Sequence, residues 1–121
     1  MPRTVLIADD SDITRRMLWK MFEAEEGYHV CAEATNGQEA VELALIHRPE
    51  LVILDLSMPI LNGLDAARKL KKLLPGVPVI LFTQYSVLGS ALSQEQLIVD
   101  RIVSKENVAE LMAHVRSLLP V

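Results

Sequence analysis

Near the middle of the chain, Leu51-Val52-Ile53-Leu54 places four apolar residues in succession and ends on the carboxylate of Asp55. A short run with no polar position predicts a strand buried on both faces, and such strands belong to parallel sheets covered by helices on either side. Val5-Leu6-Ile7-Ala8 repeats the pattern and ends on Asp9-Asp10. In a parallel sheet the carboxyl ends of neighbouring strands lie side by side, bordering the crevice where open α/β sheets bind ligands. The three carboxylates are therefore expected to converge, and their repulsion calls for a cation. A hard divalent ion such as Mg²⁺ takes oxygen ligands of this kind. Mg²⁺ also bridges carboxylates to phosphoryl oxygens, which points to phosphate chemistry.

The rest of the chain fits that frame. Apolar or mixed runs at 4–8, 28–34, 51–54, 77–82 and 99–103 read as five strands alternating with helical patterns, the signature of an α/β sheet covered on both faces. The first helix is expected over 12–25, with Ile13, Met17 and Met21 at four-residue spacing, Phe22 beside Leu18, and Gly27 as its stop. The second opens at Asn36 with Glu39 three positions on, packs through Ala40, Leu43 and Ala44 behind a polar outer face, and ends before Pro49. The third begins near Asn62 and packs through Leu64, Ala67, Leu70 and Leu74, with Lys69, Lys71 and Lys72 as a solvated face. A last helix over 106–119 carries Val108, Leu111, Met112, Val115 and Leu119 on one side. Between the fourth and fifth strands, Ser86, Gly89, Ser90 and Ser93 lower helix propensity, while Val87, Leu88, Ala91 and Leu92 suggest a short amphipathic turn within 86–98, a region expected to be mobile.

Composition excludes several classes of function. The 121 residues fit one domain, 1–121, and hydrophobic content of 50% rules out a disordered chain. No apolar run approaches the roughly 18 residues of a membrane span, and the first residues lack a secretion signal, so a cytoplasmic address without membrane contact is expected. Net charge −4 argues against nucleic-acid binding by this domain itself. Cys31 stands alone and reads as a small buried hydrophobe. His29, His47 and His114 show no ligand spacing. Trp19, among Arg16 and Lys20, fits a partner surface or ordinary packing equally well.

Ala8-Asp9-Asp10-Ser11, then Leu54-Asp55-Leu56-Ser57-Met58-Pro59 with Asn62-Gly63, then Leu81-Phe82-Thr83, then Ser104-Lys105 follow in that order, each at a strand end. With these motifs the chain resembles, from Thr4 to Leu119, the receiver domain of two-component response regulators. That phosphoacceptor module has the flavodoxin-like (βα)5 fold, with a parallel sheet of order 2-1-3-4-5. A flavin-binding module shares the fold class, but Asp9-Asp10-Ser11-Asp12 would repel its phosphate. A metal-dependent phosphatase would need a further acid/base carboxylate and substrate-binding elements.

The resemblance implies a role for each position. Asp55 is similar to the aspartate that forms an acyl phosphate. Asp10, Asp55 and the backbone carbonyl of Ser57 are expected to hold Mg²⁺ or Mn²⁺ directly, with Asp9 acting through water; Asp10 could also cap the first helix. Lys105 would balance phosphoryl charge, Thr83 would donate its hydroxyl, and Met58-Pro59 with Asn62-Gly63 would form the turn that folds the loop back. Such a domain catalyses only its own phosphorylation and dephosphorylation. Its expected partners are a histidine kinase or phosphotransfer protein, an effector domain or downstream protein, and a second copy in a phosphorylation-dependent dimer. Three positions depart from the family pattern. Gln84 follows Thr83 where a very small residue is usual, Ile102 replaces a common aromatic switch residue, and Glu106 replaces a frequent proline. These leave open an atypical receiver whose phosphorylation is weak or whose output is an interaction independent of it.

Overall fold

The computed structural model describes residues 1–84 and 98–121. The described elements are β1 (Arg3–Ala8), α1 (Asp12–Ala24), β2 (Tyr28–Ala34), α2 (Gly37–His47), β3 (Leu51–Leu54), α3 (Gly63–Leu73), β4 (Val79–Thr83), β5 (Arg101–Ser104) and α4 (Val108–Leu118). All five strands are parallel, in the order β2-β1-β3-β4-β5. This is the flavodoxin-like order expected from the sequence. The amphipathic turn read within 86–98 falls almost entirely on 85–97, outside the described residues. Among the described residues no helix is long and apolar enough to cross a membrane.

Strand periodicity divides the core into two layers. Leu6, Ala8, Val52, Leu54, Val79 and Leu81 face one way, onto Ala40 and Ala44 of α2 and Ala66, Ala67 and Leu70 of α3. Val5, Ile7, Leu51, Ile53, Ile80, Phe82 and Val103 face the other way, onto Leu18 and Phe22 of α1 and Leu111, Met112 and Val115 of α4. Each central strand is therefore apolar at successive positions because both of its faces are covered.

Three readings of the sequence need correction. On α1, the row that meets the sheet is Leu18 and Phe22, with Met21 beside it, whereas Ile13 is 83% exposed and Met17 39%. Both rows have four-residue spacing, and they lie on adjacent stripes of the helix. On α2 the outer face is not uniformly polar, since Ile46 is 72% exposed near the C-terminal end. On α3, Lys71 is not merely solvated: its Nζ donates to Asp100 Oδ2 at 2.8 Å and to the Val77 carbonyl at 3.0 Å.

Helix starts follow the capping rule. Asn36, Asn62 and Asn107 accept from the backbone N–H three residues on, at 2.8, 2.9 and 3.2 Å, and so begin α2, α3 and α4. Ser11 does the same for α1, accepting from Thr14 N at 3.3 Å. Asp10 is therefore not the cap of that helix.

Candidate functional site

The strand ladder continues past the strands and sets the site residues side by side. Asp9 N donates to the Ala34 carbonyl at 3.0 Å, Asp55 N to Ala8 at 2.9 Å, and Lys105 N to Thr83 at 2.9 Å. Each residue after a strand is thus held by the neighbouring strand. Asp9, Asp10 and Asp55 each offer a carboxylate oxygen, and these oxygens lie within 4.8 Å of one another. Asp9 and Asp55 are buried, while Asp10 is exposed. Lys105 reaches in from the end of β5, with Nζ 2.7 Å from Asp9 Oδ2 and 3.3 Å from Asp55 Oδ2.

The charges do not balance. Three carboxylates face one ammonium, leaving two surplus negative charges where two of the acids are buried. Burial first, and then the Asp9 charge, push the Asp55 carboxyl above the ordinary carboxylate range; Lys105 and a hydrogen bond from the Ser57 backbone pull the other way. The Lys105 ammonium is itself held above the usual lysine value: burial works against it, and the hydrogen bond to Asp9 and the two carboxylate charges outweigh burial. A hard divalent cation fits this donor set, because oxygen ligands alone are offered and the surplus charge matches its own.

A cleft of about 280 Å³ opens here, lined by Asp10, Asp55 and Lys105 and by Ser11, Thr14, Ser57 and Gln84. Ser57 thus lines the same cleft as Asp10 and Asp55. Thr83 does not line the cleft; it is fully buried at the end of β4.

The loop after Asp55 is clamped by two glycines. A Cβ on Gly63 would lie 2.0 Å from the Asp55 carbonyl oxygen, and Gly63 N donates to Leu56 at 2.9 Å. Only a residue without a side chain lets α3 start this close to the acceptor strand. Gly37 plays the same part from α2: its N–H donates to the Leu61 carbonyl at 2.9 Å, and a Cβ there would lie 2.1 Å from that oxygen. Reading the sequence found Gly63 and missed Gly37, for which the only signal was a glycine directly after a helix cap. Between the clamps, Ile60 has φ +69° and Leu61 N donates to Pro59 at 2.7 Å, a tight γ-turn that is costly for a β-branched residue. Arg15 was also missed, although its Nη1 donates to the Asp9 carbonyl at 2.6 Å.

The other singled-out residues lie apart from the site. Cys31 is half-buried on β2, and burial pushes its thiol up. His29 sits 3.7 Å from Glu23, and His114 accepts from Arg101 Nε at 3.2 Å. Trp19 is 41% exposed.

An open parallel sheet of this order with an acidic crevice at its carboxyl edge defines a flavodoxin-like α/β domain with a candidate cation site. Residues 5–116 match the response regulator receiver domain, and the chain belongs to that family, a signalling domain of two-component systems. It is 45% identical over 93 residues to the transcriptional regulatory protein PdtaR of Mycobacterium tuberculosis, covering 75% of this chain and 45% of that protein. It is 37% identical over 102 residues to the chemotaxis protein CheY of Thermotoga maritima, covering 84% of this chain and 78% of that one. The chain thus spans less than half the length of PdtaR. Among solved structures, the response regulator domain of Thermotoga maritima CheB superposes with a TM-score of 0.90 at 26% identity, covering 100% of this chain and 98% of that one. Thermotoga maritima TrrA in complex with Mg²⁺ and beryllofluoride superposes with a TM-score of 0.87 at 34% identity, covering 97% and 99%.

Proposed function

We propose that Asp55 accepts a phosphoryl group from the phosphohistidine of a kinase or phosphotransfer protein, in a reaction that depends on Mg²⁺ or Mn²⁺. The observation that carries this reading is the cluster of Asp9, Asp10 and Asp55, with Asp10 and Asp55 lining one cleft together with Lys105, the one cation among the described residues that pairs with the cluster's carboxylates. Asp10, Asp55 and the Ser57 carbonyl would hold the metal directly, with Asp9 acting through water. Bound there, the ion supplies neutralisation of the surplus charge and polarisation of the phosphoryl oxygens.

An Asp55 carboxylate oxygen attacks phosphorus; the new O–P bond forms as the P–N bond breaks, and the electron pair leaves on the imidazole nitrogen. The product is an acyl phosphate. Lys105 then pairs with the phosphoryl oxygens, drawing its ammonium from the Asp9 carboxylate it meets at 2.7 Å. Thr83, buried at the end of β4, donates its hydroxyl to the same group. Because Thr83 leads into 84–98, that segment carries the output to an effector domain or downstream protein, and Ile102 of β5 has no polar group to exchange between two states. We place this signalling in the cytoplasm.

Gln84 lines the cleft, and its side chain, bulkier than the family's usual residue, would limit access of an attacking water and slow loss of the phosphoryl group. Gln84→Ala is expected to shorten the phosphoryl lifetime; an unchanged or longer lifetime removes this role.

Intact mass after treatment with acetyl phosphate tests the central reading. Addition of one phosphoryl group is expected with Mg²⁺, none with chelator, and none in Asp55→Asn. Beryllofluoride, which stands in for the phosphoryl group, is expected to bind only with metal and Asp55 present. Persistent addition in Asp55→Asn, or beryllofluoride binding that ignores chelator, would overturn the reading.

A further inference from the structure

We propose that Arg15 is a positioning residue for the metal site, bracing the Asp9–Asp10 peptide so that the Asp10 carboxylate stays aimed into the cleft. This rests on the metal reading above. Asp9 is held at all of its oxygens: Oδ1 accepts from Ser11 N at 2.9 Å, Oδ2 meets Lys105 Nζ at 2.7 Å, and the backbone carbonyl accepts from Arg15 Nη1 at 2.6 Å. That carbonyl belongs to the peptide plane that also contains the Asp10 nitrogen, so pinning it limits rotation of the Asp10 backbone. Among the described residues Asp10 makes no hydrogen bond or ion pair of its own, and it is an exposed residue at the cleft. The grip on the preceding carbonyl is what orients it.

The guanidinium is built for this grip. Its side chain is only 13% exposed, its Nη2 pairs with Asp12 at the start of α1, and its Nε lies 3.6 Å from Glu33 on β2. One planar fork thus ties α1, the end of β1 and β2 together, which a lysine, as a point donor, cannot do. Charge and geometry here have opposite effects on a cation. A positive group beside the site repels a metal ion, so its removal should tighten binding if charge were all that mattered. Removal of a brace should weaken binding.

Mn²⁺ titration followed by the electron paramagnetic resonance signal of the free ion separates the two, with the metal-free melt recorded in parallel. Arg15→Gln is expected to weaken Mn²⁺ binding about tenfold, in the range typical of residues that orient metal ligands. Arg15→Lys, which keeps the charge and the stem, should remain folded and lie between Arg15→Gln and the wild type in affinity. Arg116→Gln, which removes the same charge from the Glu25 pair on α4, should leave affinity within twofold or tighten it slightly. Placed in an Asp10→Asn background, Arg15→Gln should add little, because the brace acts through Asp10. Unchanged or tighter binding in Arg15→Gln, or wild-type affinity in a folded Arg15→Lys, overturns the positioning role alone. A wild-type protein that takes up no Mn²⁺ overturns the metal reading, and this inference with it.

Discussion

The two edges of the sheet treat their acids differently. At the amino edge, Glu50 just before β3 accepts from Arg3 Nε at 2.8 Å and from Thr4 N at 3.1 Å. Asp100 just before β5 accepts from Lys71 Nζ at 2.8 Å and from Val79 N at 2.7 Å. Each of these acids has a cation and a backbone donor. At the carboxyl edge, Asp9 and Asp55 share Lys105, and Asp10 has no ion pair among the described residues. Both edges carry charge at strand ends, so position alone does not mark a functional site; the mark is charge left unmatched. A matched acid pins loops, and an unmatched cluster stores free energy that a ligand can release.

The largest effect expected from this contrast is at Lys105. Lys105→Ala leaves two buried carboxylates without their cation and should destabilise the metal-free protein by about 3 kcal/mol, in the range for breaking a buried pair. Mg²⁺ should restore most of the loss, because it supplies the missing charge, and metal affinity should be kept or raised. Thermal melts with and without Mg²⁺ decide it; loss of Mg²⁺ binding in this variant would contradict the assignment. At the opposite edge, Asp100→Ala should cost about 2 kcal/mol by stripping the Lys71 ammonium and the Val79 N–H of their acceptor. That loss should not respond to Mg²⁺. An equal rescue of both variants would erase the distinction between the edges.

A smaller effect of opposite sign is expected at Asp10. Asp10→Asn relieves repulsion worth up to about 1 kcal/mol between charges near 4 Å in water, so the metal-free protein should melt slightly higher while Mg²⁺ binding falls. A variant that melts lower without metal would make Asp10 structural, on a par with Asp100.

Much of this arrangement is legible in the chain because the acids stand directly after apolar runs, so strand and site are written in one stretch of letters. Asn36 and Asn62 are similarly local, each capping the helix that follows it. What is not legible depends on partners far along the chain. Lys71 and Asp100 are 29 positions apart, and nothing near Lys71 distinguishes it from its solvated neighbours Lys69 and Lys72. The α1 stripe is ambiguous because Ile13-Met17 and Leu18-Phe22 obey the same spacing, and only the sheet beneath selects one. Arg15 falls in a run of polar helix residues, where its burial against the Asp9 carbonyl leaves no trace in periodicity. Gly37 is a question of space rather than backbone angle, and space is set by Leu61, a residue of another loop.

The finest test of the contrast is the pH dependence of metal-free stability, because Glu50 at one edge and Asp55 at the other shift in opposite directions. Glu50 is held below the ordinary carboxylate range, chiefly by the hydrogen bond from the Thr4 backbone and also by Arg3. Its contribution is therefore present above the unfolded value and is lost as pH falls through the depressed one. Asp55 is held above the ordinary range, so between its unfolded and folded values the folded chain keeps a proton that the unfolded chain has released. Stability consequently falls as pH rises through that window. Urea midpoints from about pH 3 to 7, spanning the carboxylate range, should show Glu50→Gln flattening the acid limb and Asp55→Asn flattening the decline above it. The Glu50 effect should be the smaller of the two, since its side chain is 42% exposed and screened by solvent. If Asp55→Asn leaves the upper limb untouched, the carboxyl edge is no more strained than the amino edge, and the unmatched charge there is shared out by solvent before any ligand arrives.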